Sequence, residues 1–97
     1  MQDELRIYSV RPGSMENWLR EWTARIRPLR EKLGFTILGH WVVDGQDEFV
    51  WILRYSGPNS YEAANRSYYE SPERKALDPD PARHLVATAH RLMTPVE

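Results

Sequence analysis

The sequence predicts an α+β fold. A four-stranded antiparallel sheet in the order β-α-β-β-α-β carries two helices on one face and pairs with a second copy as a dimeric α/β barrel. Three observations predict it. Residues 15–33 hold apolar side chains at helical spacing, residues 35–55 read as a hairpin, and shorter β-rich runs open and close the chain.

Leu5-Arg6-Ile7-Tyr8-Ser9-Val10 alternates in character and is rich in strand formers, which predicts a first strand at about 4–10. Pro12-Gly13 ends it. Ser14 is then a candidate N-cap, with Glu16 in the first turn, where the helix dipole favours an anion. Met15, Trp18, Leu19, Trp22, Ile26, Leu29 and Leu33 make one apolar stripe down the helix that follows. Arg20, Glu21, Arg25, Arg27, Arg30 and Glu31 take the other side, and Gly34 suits the C′ position. Pro28 removes a backbone bond to Ala24, so the helix is expected to bend there.

Residues 35–43 and 48–55 are the second and third strands, joined by Asp44-Gly45-Gln46-Asp47. With Gly45 and Gln46 at the tip, His40 faces Trp51, Trp41 faces Val50 and Ile37 faces Arg54. Ile37, Trp41, Val43, Val50 and Ile52 then share one face, and Leu38, Val42, Phe49, Trp51, Leu53 and Tyr55 the other. Asn59 and Glu62 stand at capping-box spacing ahead of a helix at about 60–70, whose apolar side is Tyr61, Ala64, Tyr68 and Tyr69. Pro72 opens a short helical turn. Asp78-Pro79-Asp80-Pro81 is a stiff connection, or a lid, leading into a last strand from Arg83 to Thr94.

Ninety-seven residues make a single domain, 1–97. Thirteen basic and 14 acidic residues give a net charge near −1, and no basic run marks a nucleic-acid surface. The absence of cysteine excludes disulfides and thiolate chemistry. The acidic start Met1-Gln2-Asp3-Glu4 is unlike a signal peptide, and no apolar run reaches the ~20 residues of a membrane span, so a cytoplasmic protein without membrane association is expected. Two helices can cover only one face of the sheet, while both hairpin faces carry large apolar side chains. An isologous homodimer covers the second face most simply.

Glu4-Leu5-Arg6-Ile7-Tyr8 and Arg11-Pro12-Gly13 resemble the opening of the NIPSNAP family. Pro28-Leu29-Arg30 with Gly34-Phe35, then Gly39-His40-Trp41, continue the resemblance. Glu48-Phe49-Val50-Trp51-Ile52 and Tyr68-Tyr69-Glu70-Ser71-Pro72-Glu73-Arg74 complete it over nearly the whole chain. The resemblance implies a ferredoxin-like fold, a dimeric barrel and kinship with barrel proteins of the antibiotic-biosynthesis-monooxygenase type. It implies no single reaction and brings no catalytic motif.

His40, His84 and His90 form no metal-ligand motif, and His84 and His90 lie roughly 20 Å apart along a strand, so no protein-bound metal and no other cofactor is expected. No glycine-rich phosphate loop or nucleophile elbow is present. Acid/base chemistry has His40, Arg54 and Tyr8 as candidate catalytic residues, with His90 and Glu48 behind them. The commoner roles are a histidine filling the dimer face and an arginine paired at the sheet rim. Trp41, Trp51, Trp22, Tyr68 and His90 are candidate ligand-binding residues. The functional expectation is a small cofactor-free enzyme, or a binder, for a hydrophobic small molecule in a metabolic or natural-product pathway. A non-catalytic dimeric interaction module and a haem-handling barrel are the alternatives.

Overall fold

The computed structural model describes residues 1–96. Its strands are β1 (Gln2–Val10), β2 (Phe35–Val42), β3 (Glu48–Tyr55) and β4 (Leu85–Met93). They form one sheet in the order β2-β3-β1-β4, with every neighbouring pair antiparallel. The helices are α1 (Met15–Glu21), α2 (Arg27–Lys32), α3 (Tyr61–Glu70) and α4 (Pro72–Lys75). This is the expected β-α-β-β-α-β plan. The connection 78–80 leads into a 3-10 turn, Pro81–His84, so β4 starts at Leu85 rather than at Arg83.

The bend expected at Pro28 takes a definite form. Trp22–Ile26 is a π-helical turn joining α1 to α2, and the N–H of Arg27 donates to the carbonyl of Trp22, five residues back. Pro28 falls in the first turn of α2, where a missing N–H is tolerated. A π turn adds one residue to the winding. Trp22 and Arg30 would stand about 80° apart in an unbroken helix, and the added residue brings them to within about 20°. Arg30 is therefore not on the solvent side, as expected from the stripe, but 1% exposed on the face that carries Trp22.

Two caps also differ from expectation. Ser14 occupies the N-cap of α1 but its side chain makes no cap bond. Ser60, not Asn59, caps α3, its hydroxyl accepting from the N–H of Ala63 at 3.1 Å. Gly34 ends α2 at φ 97°, in the left-handed region expected of a C′ glycine.

The hairpin pairs His40 with Trp51 and Trp41 with Val50, as its turn predicts. A bulge at Leu38 then shifts the register, so Ile37 pairs with Leu53 rather than Arg54. One extra residue exchanges the two sides of a strand. Ile37 accordingly packs on the helix-side core, whereas Leu38 is exposed.

The core lies between the sheet and the helices. Phe49, Trp51, Leu53 and Tyr55 of β3 meet Trp18, Trp22, Ile26 and Leu29. Trp22 sits edge-to-face on Phe49 and Trp51, with ring centroids 5.0 and 5.3 Å away. On β1 the usual polarity of a strand is inverted: Glu4, Arg6, Tyr8 and Val10 are buried on the helix side, and Leu5 and Ile7 face the other way. The helix-free face thus holds Leu5, Ile7, Val50, Ile52 and the half-exposed Trp41.

Candidate functional site

The polar face of β1 produces a buried charged layer. The Nε of Arg6 donates to the Glu4 carboxylate. Its Nη1 donates to the hydroxyls of Tyr8 at 2.9 Å and Tyr69 at 2.8 Å, and its Nη2 to Asn65 Oδ1 at 3.0 Å. Tyr61 donates to the same Glu4 oxygen at 2.9 Å. Arg6 is fully buried, and an ion so placed requires this kind of saturated pairing.

Arg30 meets its surroundings differently. Its guanidinium lies 3.6 Å from the ring centroid of Tyr68 and 4.7 Å from that of Phe35. It donates one hydrogen bond, from Nη1 to Asn65 Oδ1 at 2.9 Å. Its Nε is buried without a partner, and among the described residues no carboxylate pairs with it. Burial and the nearby Arg6 charge both disfavour its charged form.

These groups converge on a cavity of about 170 Å³ between sheet and helices. Arg6, Arg30, Arg74, Tyr8, Tyr69 and His90 supply its polar wall. Trp18, Ile26, Trp51 and Leu85 supply apolar surface. The rings of Trp18 and Trp51 carry buried indole N–H groups with no hydrogen-bond partner. An outer recess of about 260 Å³ shares Tyr69 and Arg74 with this cavity and adds Lys75 and Asp80. The connection 78–80 therefore borders the outer recess.

Burial pushes the Tyr8 phenol up. Tyr69 is also raised by burial, but Arg6 and Arg30 outweigh it and hold this phenol below its usual value. Burial, then the Arg6 charge, lower His90, whose Nδ1 lies 3.7 Å from Glu4. Both effects favour the neutral imidazole of His90 over its charged form.

Of the residues expected from sequence, Tyr8, Trp51, Tyr68 and His90 are brought together at this cavity. Trp22 is buried beneath, against Trp51. His40 and Arg54 do not join them. His40 stacks on Trp22 with centroids 4.7 Å apart, and its Nε2 lies 3.2 Å from Arg27 Nη1 at an exposed edge. Arg54 donates twice to Asp3, at 2.7 and 2.9 Å, on the helix-free side of the sheet. Trp41 is on that side too. Arg6, Arg30, Asn65, Tyr69 and Arg74 were not read as site residues. The polar parity of Glu4, Arg6 and Tyr8 on one strand is a signal for Arg6 alone, and nothing in the sequence pattern marks Arg30, Asn65, Tyr69 or Arg74. Among the described residues no group of three His, Asp or Glu could hold a metal ion.

A β-α-β-β-α-β chain with sheet order β2-β3-β1-β4 and a polar-floored cavity under its helices is a ferredoxin-like α+β domain. The chain belongs to the NIPSNAP family, whose family model matches residues 3–97. It is similar in structure to a NIPSNAP domain protein from Burkholderia xenovorans, at a TM-score of 0.85 and 17% identity over 99% of this chain and 95% of that one. A NIPSNAP family protein from Agrobacterium tumefaciens str. C58 superposes at a TM-score of 0.84, with 20% identity over 99% and 86% of the two chains. A structure described as an antibiotic biosynthesis monooxygenase gives 0.74, with 17% identity over the whole of both chains. No curated protein sequence matches.

Proposed function

We propose that this NIPSNAP domain is a small cofactor-free enzyme, or a binder, that takes a hydrophobic small molecule into the cavity beneath its helices. The observation that carries this reading is the cavity's composition. Apolar aromatic walls with a few convergent polar groups are the usual build of a small-molecule site. Its volume, about 170 Å³, is of the size that admits a single ring, since an engineered cavity of about 150 Å³ binds benzene. Tyr69 and His90 are the proton-transfer pair in this reading: a phenol held low by two arginines, and a neutral imidazole across the same cavity. Tyr8, raised and bonded to Arg6, orients the floor. The likeness in fold to an antibiotic biosynthesis monooxygenase is an analogy consistent with this reading, which rests on the cavity itself.

The homodimer belongs to the same proposal. Leu5, Ile7, Val50, Ile52 and Trp41 form an apolar face that the helices do not cover. A second copy supplies a matching surface around a two-fold axis.

Native mass spectrometry of freshly purified protein tests both parts. A dimer mass with a retained small molecule is expected, together with a rise in Tm on adding single-ring apolar compounds. No stabilisation by any of a broad panel of such compounds would overturn the binding reading.

A further inference from the structure

We propose that the cavity is built for an organic anion, a single-ring carboxylate or a similarly charged oxyanion, anchored on Arg30 with Arg74 at its mouth. The inference rests on the cavity being the ligand site and names the chemistry of its occupant.

Charge is the first argument. Three guanidinium groups stand around one phenol ring: Arg30, Arg6 and Arg74 lie 5.3, 5.9 and 5.9 Å from the Tyr69 centroid. Glu4 answers Arg6, and Asp80 answers Arg74 at 3.1 Å. Arg30 has no carboxylate among the described residues, so the layer carries one positive charge in excess. The charged form of His90, on β4, is disfavoured by burial and by Arg6.

Unused donors are the second argument. The Nε atoms of Arg30 and Arg74 are both buried without partners. Nη2 of Arg30 donates no hydrogen bond either, its one bond coming from Nη1. Buried arginine is ordinarily saturated, as Arg6 is, because each missing bond is costly. The rings of Tyr68 and Phe35 hold Arg30 by cation–π contact, which leaves its hydrogen-bonding edge unsatisfied. A guanidinium edge matches a carboxylate in shape and charge.

Shape is the third argument. The inner cavity suits one ring, and the outer recess, where Arg74 and Lys75 stand against the single carboxylate of Asp80, keeps one positive charge in excess along the approach.

The test compares benzoate with benzamide, which share shape and differ in charge, by calorimetric titration at pH 7. Benzoate is expected to bind about tenfold or more tightly. Arg30→Met is expected to erase the preference, and Arg74→Met to weaken it and flatten its salt dependence. Equal affinity for the two probes, or a preference for benzamide, overturns the proposal. So does an undiminished preference in a folded Arg30→Met protein. If Arg30→Met does not fold, the wild-type comparison and Arg74→Met decide alone. Binding of neither probe, with stabilisation by neutral ring compounds, overturns the anion and leaves the cavity reading standing. Stabilisation by nothing overturns both.

Discussion

Arg6 and Arg30 are both buried and share Asn65 Oδ1 as an acceptor, yet one is saturated and the other is not. Glu4 is what makes Arg6 tolerable, so Glu4→Gln should leave a buried cation without its counter-charge. A loss of about 3–5 kcal/mol is expected, read from the urea midpoint. Glu21 plays a different part. It accepts from Arg83 at 2.7 and 2.9 Å and lies 2.8 Å from His84 Nε2, tying α1 to the turn before β4. Hydrogen bonding to Arg83 leads in lowering its carboxyl from 4.5 to about 2. A depressed carboxyl stabilises the fold above its unfolded value. That stability should fade as pH falls from about 4.5 toward 2, and Glu21→Gln should flatten this acid limb in thermal melts. At this scale the sequence is informative where a residue's type restricts its position: Tyr8, Trp51 and His90, candidates by type, line the cavity. Arg30 could not be read as buried, because an arginine flanking an apolar stripe is normally solvated.

The elements themselves were largely legible, since the stripe of the first helix and the hairpin's turn both follow simple periods. The misreadings come from single added residues. A bulge at Leu38 exchanged Ile37 and Leu38 between faces, and the π turn carried Arg30 inward. Periodicity cannot reveal either, because both break the period locally and resume it. β1 gives the converse lesson: its polar parity faces the core, where charges are rare, and its apolar parity faces out. That inversion is itself a sign of a polar site on one side and a further contact on the other. The caps offer a cleaner test. Ser60 bonds the Ala63 N–H while Asn59 makes no cap, so Ser60→Ala should cost about 1 kcal/mol and Asn59→Ala much less, by chemical denaturation.

For the whole molecule, the arrangement of layers leaves one sheet face bare of helices. Trp41, 52% exposed on the edge strand β2, folds over Gly39, where an added Cβ would come within 2.5 Å of the indole. No helix among the described residues is long and apolar enough to cross a membrane. The proposed dimer gives a direct prediction. Wild type should sediment as a dimer at micromolar concentration, and Trp41→Glu should sediment as a monomer with the helix-side cavity intact. A wild-type monomer at that concentration would sink the proposal.

The π turn between Trp22 and Ile26 has a consequence for how relatives are compared. Arg30 reaches the cavity because eight residues, not seven, separate it from Trp22. A relative with an unbroken first helix would place the side chain of its seventh residue there instead. Matching such chains column by column, without a one-residue gap inside the helix, would set Arg30 against an outward-facing position. A search for the same anchor across the family must therefore follow rotational phase about the helix axis rather than residue count.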